Sequence, residues 1–206
     1  MTAVDPRLER WLESVLGTPG LTAVRDPGEA RRVLVDDALA AAELIEEGPA
    51  VDVGSGGGSP GIPVALARPD LRVALLEAHR RTCDFLESAV RELANVSVVC
   101  ARAEEHGRGE GRDAYGTALA QALAPVPVAL EWCLPLVRAG GRVILLAGEV
   151  DLAAAAVASE AVGGGRPELV PLPGSDRRGL LLVQKVEATP ERFPRRPGAA
   201  RKRPLA

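Results

Sequence analysis

The residues with the clearest chemical meaning form a glycine-rich turn after a short apolar segment. The stretch from Ala50 to Gly61 reads AVDVGSGGGSPG, and Asp52 lies inside its apolar part. Glycines allow positive φ angles and let bare backbone approach a ligand, and Ser59 followed by Pro60 is typical of a helix start. The stretch therefore predicts a strand, a ligand-binding turn and a helix, with an adenosine cofactor as the ligand.

Two spacings of these glycines suit two different adenosine cofactors. Gly56, Gly58 and Gly61 match the G-x-G-x-x-G fingerprint of dinucleotide-binding proteins. The spacing D-x-G-x-G-x-G, which begins at Asp52 and continues through Gly54, matches the first motif of S-adenosylmethionine-dependent methyltransferases. A carboxylate at position 52 would repel a pyrophosphate, whereas it suits a ligand that carries an amino group and a sulfonium. The methyltransferase spacing is therefore favoured, and the absence of Gly-Lys-Ser/Thr after the glycines excludes a triphosphate-binding loop.

Acidic residues follow the next two predicted strands. Glu77 ends a strand predicted at 72–77, where it can accept hydrogen bonds from both ribose hydroxyls, although dinucleotide-binding proteins also carry an acid here. Glu104 and Glu105 follow a strand predicted at 96–100, where an acid reads the adenine edge in many methyltransferases. A solvated acidic loop is an equally good interpretation of that pair. Together the acids favour the methyltransferase interpretation more than any one of them does.

Apolar runs and helical periodicities alternate along the rest of the chain. Beyond the first strand, strands are predicted at 72–77, 96–100, 114–120 and 142–147, and helices at 60–67, 79–93, 126–137 and 150–161. Two helices precede the first strand, and a hairpin with a turn at 173–176 is predicted at 168–172 and 179–186. The alternation predicts an α/β fold with a parallel sheet, and together with the methyltransferase spacing of the glycine turn it indicates a Rossmann-like class I S-adenosylmethionine methyltransferase. Its seven-stranded, mostly parallel sheet would carry a C-terminal antiparallel hairpin and hold the ligand at the carboxyl ends of its strands.

Composition limits the number of domains and the compartment. The chain has 206 residues, of which 47% are hydrophobic, and this size suits one globular domain. We expect a single methyltransferase domain over 1–190, with a helical extension over 1–48, and a basic tail over 191–206. The chain shows neither a signal peptide nor an apolar run of membrane-spanning length, which predicts a cytoplasmic protein that contacts no membrane. We also expect a monomer.

The cysteines and histidines carry no metal-binding pattern. Cys83, Cys100 and Cys133 lack a C-x-x-C spacing and a nearby histidine partner, so we expect buried thiols in a reducing compartment and no metal. His79 and His106 are predicted to be surface residues that flank the acids at 77 and 105.

Charge is distributed unevenly along the chain. The formal net charge is −3, yet residues 192–206 carry six cationic side chains and no acidic one. A basic tail of this kind can neutralise RNA phosphates and release their counterions. Aromatic residues make up only 2% of the chain, which disfavours an RNA surface built on base stacking.

These motifs resemble the bacterial small-subunit ribosomal RNA guanine-N7 methyltransferases, also called the glucose-inhibited division protein B family. The resemblance covers most of the chain. It rests on segments at 21–27, 52–63, 102–105, 122–125, 140–142 and 193–198. It implies S-adenosylmethionine as the cofactor and N7 of a guanine in 16S ribosomal RNA as the acceptor, with the small ribosomal subunit as the partner.

The resemblance and the motifs together give a set of predicted site residues. The cofactor residues are Asp52, Gly54, Gly56, Gly58, Ser59, Glu77, Ala103, Glu104 and Gln121. The residues expected to contact RNA are Arg25, Arg195, Arg196, Arg201 and Lys202. Guanine N7 carries a lone pair and needs no deprotonation, so no general base and no catalytic side chain is predicted.

Several positions depart from the family pattern. The family usually has a large apolar residue at 59, histidine at 33, arginine at 121 and lysine at 147, where this chain has Ser59, Val33, Gln121 and Ala147. These changes remove charge and hydrogen-bonding reach, mainly on the substrate side. They leave a second interpretation open, a diverged paralogue that acts on another acceptor or only binds the cofactor. A dinucleotide-dependent oxidoreductase is the third, and Asp52 and the predicted hairpin disfavour it.

Overall fold

The structure is a computed structural model that describes residues 5–173, 175 and 178–206. The strands of its central sheet are β1 Ala50–Val53, β2 Val73–Glu77, β3 Val96–Cys100, β4 Tyr115–Gln121, β5 Val137–Ala147, β6 Glu168–Pro171 and β7 Gly179–Gln184. They lie in the order β3-β2-β1-β4-β5-β7-β6. Within the described residues, β7 alone runs in the direction opposite to the other strands, and it pairs with β5 and β6. The predicted seven-stranded sheet and its C-terminal hairpin are therefore confirmed.

Helices occupy most connections between the strands. They are α1 Pro6–Gly17, α2 Pro27–Arg31, α3 Asp37–Ala42, α4 Gly61–Ala67, α5 Arg80–Ala89, α6 Ala103–His106, α7 Val126–Cys133, α8 Leu152–Ala161 and α9 Ala199–Lys202. A π-helix, Arg32–Asp36, joins α2 to α3. Carboxylates of Asp5, Asp26 and Asp151 accept backbone N–H groups in the first turns of α1, α2 and α8, which fixes where these helices begin. In the part of the chain that the structure describes, every helix is too short or too polar to cross a membrane.

Two apolar cores lie on opposite faces of the sheet. Alternate strand residues point to opposite faces, so that Ala50 and Leu75 pack against the α1–α5 side while Val51 and Val53 pack against α7 and α8. Both β1 and β2 are buried along their whole length, as expected for parallel strands that are covered on both faces. Burial of this apolar surface places the carboxyl ends of β1, β2 and β4 side by side at one edge.

Some predicted boundaries differ from the structure for local reasons. The fifth strand was predicted at 142–147 but begins at Val137, because Gly140 takes a positive φ and Gly141 lets the backbone of Gly116 approach closely. The helix predicted at 126–137 ends at Cys133 and is followed by a 3₁₀ turn that contains Pro135. The helix predicted at 79–93 ends four residues earlier, at 89. Positions 174 and 176 of the predicted hairpin turn lie outside the described residues.

The prediction that all the cysteines are free buried thiols is wrong for two of them. Cys83 in α5 and Cys100 at the end of β3 form a disulfide, with their Cα atoms 5.9 Å apart, whereas Cys133 is free and buried. The sheet brings them together because β3 lies beside β2, and α5 follows β2 directly. His79 is exposed as predicted, but His106 is half-buried, with Nε2 2.9 Å from the hydroxyl of Tyr115.

Candidate cofactor and substrate site

The glycine turn between β1 and α4 has the backbone conformation that its sequence predicts. Gly54, Gly56 and Gly58 have φ angles of +71°, +52° and +104°. A side chain at Gly54 would collide with Leu123, and one at Gly58 would collide with Ile62. The turn therefore requires glycine both for its conformation and for the close approach of neighbouring elements.

Asp52 lies beneath this turn and is fully buried. Its Oδ2 accepts the backbone N–H of Gly61 at 3.0 Å, and its Oδ1 has no hydrogen-bond partner among the described residues. Burial raises the pKa of Asp52 to about 7. The sequence suggested a carboxylate that faces the ligand, whereas the structure places Asp52 at the start of α4. Asp52 therefore stabilises the end of the glycine turn through its hydrogen bond with Gly61.

Ser59 has a different role from the helix cap suggested by the sequence. The helix α4 begins at Gly61 and receives no side-chain cap from Ser59. Instead, the Ser59 hydroxyl lies 2.8 Å from the carbonyl oxygen of Leu34 and 2.8 Å from Oε1 of Gln121. The cap fails because the Asp52 carboxylate already accepts the N–H of Gly61.

Glu77 ends β2 and faces the same turn. Its Oε2 accepts the N–H of Gly56 at 3.1 Å, and its Oε1 accepts the backbone N–H of His79 at 2.8 Å. Burial by itself would raise the pKa of Glu77, but the hydrogen bonds from His79 and Gly56 outweigh it and hold the pKa below its ordinary value. The carboxylate is therefore ionised at neutral pH, and it orders the turn while bordering a cavity.

Three adjoining cavities open at the carboxyl edge of the sheet. The Glu77 cavity, of about 320 Å³, is lined by residues that include Gly54, Glu77, Ala103, Glu104, Trp132 and Arg201. The Ser59 cavity, also about 320 Å³, is lined by residues that include Trp11, Val33, Gly54, Gly56, Ser59 and Gln121. The Gln121 cavity, of about 370 Å³, is lined by residues that include Val33, Gln121, Leu123, Pro125, Ala147 and Arg178. Ala122, which follows β4 with a φ of +50°, borders all three.

The predicted basic tail packs against this edge of the protein. Arg195 forms a two-pronged ion pair with the buried carboxylate of Glu131, with nitrogen to oxygen distances of 2.5–3.1 Å. The backbone N–H of Gly198 donates to Oε1 of Glu104 at 3.0 Å. The guanidinium of Arg201 lies 5.2 Å from the centre of the Trp132 ring.

The tail contacts change how the predicted RNA residues are assigned. Arg195 and Arg201 were predicted to meet phosphate; the structure pairs Arg195 with the buried carboxylate of Glu131 and places Arg201, which is exposed, over the ring of Trp132. Arg25, Arg196 and Lys202 are exposed and form no ion pair within the described residues. The same tail also occupies one oxygen of Glu104, which was predicted to read adenine.

Comparison with known proteins identifies the family. A profile of the family described as rRNA small subunit methyltransferase G matches residues 8–167. The chain belongs to this family. Ribosomal RNA small subunit methyltransferase G of Moorella thermoacetica is 39% identical over 197 residues, which cover 90% of this chain and 82% of that protein. The protein of the same name from Thermotoga sp. (strain RQ2) is 34% identical over 207 residues, which cover 97% and 90%.

Solved methyltransferase structures share the fold. Precorrin-6y C5,15-methyltransferase from Geobacter metallireducens gives a TM-score of 0.56 at 17% identity and covers 84% of this chain and 95% of its own. The 16S rRNA N2 G1207 methyltransferase of T. thermophilus, solved with AdoMet and guanosine, gives a TM-score of 0.51 at 19% identity, with 68% and 36% covered. These structures show that the chain has the class I methyltransferase fold, and its membership of the rRNA small subunit methyltransferase G family excludes the dinucleotide-dependent oxidoreductase interpretation.

In this small subunit methyltransferase G family member, the positions that depart from the family pattern lie together. Gln121 Nε2 donates to the carbonyl oxygen of Val33 at 2.9 Å, and Gln121 Oε1 lies beside the Ser59 hydroxyl. Gln121 and Ala147 border the same cavity. The sequence separated these positions by as many as 114 residues, and the sheet brings them to one edge.

Sequence reasoning missed two residues of the methyltransferase that position the site. Trp11 in α1 donates from Nε1 to the carbonyl oxygen of Gly57 at 2.8 Å, which fastens the N-terminal helix to the glycine turn. Trp132 in α7 borders the Glu77 cavity. Trp11 showed only an apolar helical periodicity, and no local pattern marked Trp132.

Proposed function

We propose that this protein transfers a methyl group from S-adenosylmethionine to N7 of a guanine in 16S ribosomal RNA. The observation that carries the proposal is the meeting of three cavities at Ala122, within a chain that belongs to the rRNA small subunit methyltransferase G family. Two of these cavities border the glycine turn, and the third borders β4 and β5. The arrangement suits a cofactor on one side and an acceptor base on the other.

The residues present fit S-adenosylmethionine. The ionised carboxylate of Glu77 suits the ribose hydroxyls, since a carboxylate accepts two hydrogen bonds and would repel a phosphate. Gly54, which carries no side chain, borders both the Glu77 and the Ser59 cavities, and this arrangement suits an elongated ligand that reaches from one to the other. The residues that would hold the cofactor are Gly54, Gly56, Gly58, Ser59, Glu77, Ala103, Glu104 and Gln121, with Asp52 supporting the turn. When bound, S-adenosylmethionine supplies an electrophilic methyl group.

The protein itself has little proton chemistry to perform in this reaction. Guanine N7 carries a lone pair, so the residues around the acceptor need only hold the base in line and exclude water. The apolar side chains of Leu123 and Pro125 line the Gln121 cavity and suit the faces of a base. Gln121, at the boundary of the two cavities, offers an amide for hydrogen bonding.

RNA phosphates would be met outside the cavities. Exposed cations without ion-pair partners in the described part of the chain include Arg25, Arg196, Lys202 and Arg203. Each phosphate contact releases condensed counterions, so RNA affinity should fall as salt rises. Because the rest of the protein is acidic, these cations supply most of the local attraction for RNA.

The test is methyl transfer to small ribosomal subunits that lack the modification, followed by mass-spectrometric mapping of N7-methylguanine. The purified protein should methylate one guanine of 16S ribosomal RNA. Glu77→Gln should weaken S-adenosylmethionine binding by about 1–3 kcal/mol, as expected for losing hydrogen bonds to a charged group, and activity should fall with it. A protein that binds S-adenosylmethionine but methylates no ribosomal RNA would contradict the proposed acceptor. It would favour the diverged paralogue, which the clustered departures at 33, 59, 121 and 147 keep as the second candidate.

A further inference from the structure

The C-terminal segment is fastened to the protein beside the Glu77 cavity. The carboxylate of Glu131 is fully buried, and its ion pair with Arg195 neutralises a charge that would otherwise be isolated. Phe193 is 3% exposed, and Pro194 accepts a hydrogen bond on its carbonyl oxygen from Nε of Arg108 at 2.7 Å. A segment held by a buried ion pair, an apolar anchor and a backbone contact is a fixed part of the structure.

The segment continues into α9, where Arg201 borders the Glu77 cavity and Lys202 does not. Ala200 is 1% exposed and packs in an apolar cluster with Val128 and Trp132. Arg201 lies over the Trp132 ring, and its Nη2 donates to the carbonyl oxygen of Leu123 at 3.4 Å. Arg201, Leu123 and Trp132 all line the Glu77 cavity. Both cations are exposed, but Lys202, one residue further, lines none of the three cavities.

One residue that lines the Glu77 cavity, Trp132, carries a polar group without a hydrogen-bond partner in the described part of the chain. The Nε1 atom of Trp132 is buried and has no hydrogen-bond partner among the described residues. Buried donors in native structures are nearly always satisfied, so this N–H lacks the acceptor that is expected for it. A guanidinium held over one aromatic ring is suited to contact a further aromatic ring.

We propose that Arg201, held over Trp132, contacts the adenine of S-adenosylmethionine and that the C-terminal segment is a wall of the cofactor site. Arg201 is thus a cofactor contact and Trp132 its positioning residue, whereas Lys202 and Arg203 remain for RNA. The proposal rests on the proposed function, because it assumes that the Glu77 cavity holds the adenosine part of that cofactor.

Adjacent methionine substitutions give a matched test. Arg201→Met should weaken S-adenosylmethionine binding by about tenfold in calorimetric titration, the loss expected for one stacked guanidinium contact. It should leave unchanged the slope of log affinity against log salt for a 16S ribosomal RNA transcript. Lys202→Met should do the reverse, with cofactor affinity retained and the slope reduced by about 0.7–0.9. Arg201→Lys keeps the charge but loses the planar group, and it should not restore cofactor affinity.

Substitutions at Trp132 test whether its ring positions Arg201 for the cofactor. Trp132→Leu removes the aromatic ring and should weaken cofactor binding, whereas Trp132→Phe retains a ring and should recover most of the affinity. Adding Arg201→Met to Trp132→Leu should cost little more than one change alone, since the two residues act as a unit. Thermal unfolding of each variant checks that it is folded.

Three results would overturn the proposal. One is an Arg201→Met variant that binds S-adenosylmethionine normally but whose RNA affinity depends less steeply on salt, as expected for Lys202→Met. That result would make Arg201 an RNA contact. Another is an equal loss of cofactor affinity in both variants, which makes the segment a general support. Fully additive losses in the Arg201→Met, Trp132→Leu pair would be the third. In all three cases the proposed function still stands if the unchanged protein binds S-adenosylmethionine and Glu77→Gln weakens that binding. If the unchanged protein does not bind S-adenosylmethionine, both the proposed function and this proposal are refuted.

Discussion

The hydroxyl of Ser59 and the side-chain amide of Gln121 lie 2.8 Å apart, although 62 residues separate them in the chain. The single hydroxyl proton of Ser59 is shared between Gln121 Oε1 and the carbonyl oxygen of Leu34, which also lies 2.8 Å away, and Gln121 Nε2 donates to the carbonyl oxygen of Val33 at 2.9 Å. Both carbonyl oxygens belong to the π-helix Arg32–Asp36 and lie within hydrogen-bond distance of these side chains. Ser59 and Gln121 therefore connect the glycine turn, β4 and the N-terminal helices at the edge that holds the cavities.

The Ser59 and Gln121 side chains should act together in stabilising the fold. Ser59→Ala and Gln121→Met should each lower the free energy of unfolding by about 1–2 kcal/mol, because each leaves partly buried polar groups unpaired. The double variant should lose about 1 kcal/mol less than the sum, since the second change removes a group already left without its partner. Urea unfolding of the four proteins measures this coupling. Strictly additive losses would mean that the hydrogen bond between the two side chains contributes nothing.

The positions at 121 and 147 should control transfer to the acceptor. Both border the Gln121 cavity, and the family pattern has arginine and lysine there. If the chain is a weakened member of the family, Gln121→Arg combined with Ala147→Lys should raise methyl transfer to unmethylated small subunits by about tenfold, which corresponds to 1.4 kcal/mol in the barrier. Ala147→Met is the control for added side-chain length without charge. Strong methylation by the unchanged protein would refute the idea that these departures impair it, and none after both changes would favour the paralogue.

Asp52 should make the stability of the cofactor-free protein depend on pH. Its folded-state pKa is raised to about 7 by burial, so the folded protein binds a proton that the unfolded chain has released. That contribution to stability is fully present below the unfolded pKa and is lost as pH rises through 7. Between pH 5 and pH 8 the unchanged protein should lose about 2.5 kcal/mol of unfolding free energy from this group, and Asp52→Asn should not. Urea unfolding at both pH values checks this, and an equal pH dependence in the two proteins would contradict it.

Arg195 should stabilise the fold more than it binds RNA. Arg195→Met should lower the free energy of unfolding by about 3 kcal/mol, the lower end for breaking a buried ion pair, since 27% of the Arg195 side chain stays exposed while Glu131 is fully buried. Adding Glu131→Gln should recover part of the loss, because the isolated buried charge is then removed. Arg196→Met, at the adjacent exposed position, is the matched control and should lower only the salt slope of RNA binding. A reduced slope with unchanged stability in Arg195→Met would show instead that Arg195 meets phosphate.

Local sequence determined the elements of this protein and the centre of its site. The glycines after β1 can be recognised because positive φ angles and close approach exclude most other residues, and both demands act within a few positions. The strand ending at Glu77 follows from an apolar run that closes on an acid, and the alternation of strands and helices leaves few topologies. The same local rules located the hairpin of β6 and β7.

Tertiary structure alone decided which partners these residues find. The carboxylate of Asp52 lies toward α4, Ser59 contacts Gln121, and Arg195 of the tail pairs with the buried Glu131. The pairing of Cys83 with Cys100 depends on the order of strands in the sheet. The packing of the core removes some charged and polar groups from water. A buried polar group must then pair with a partner that lies within reach, and the fold decides which partner that is.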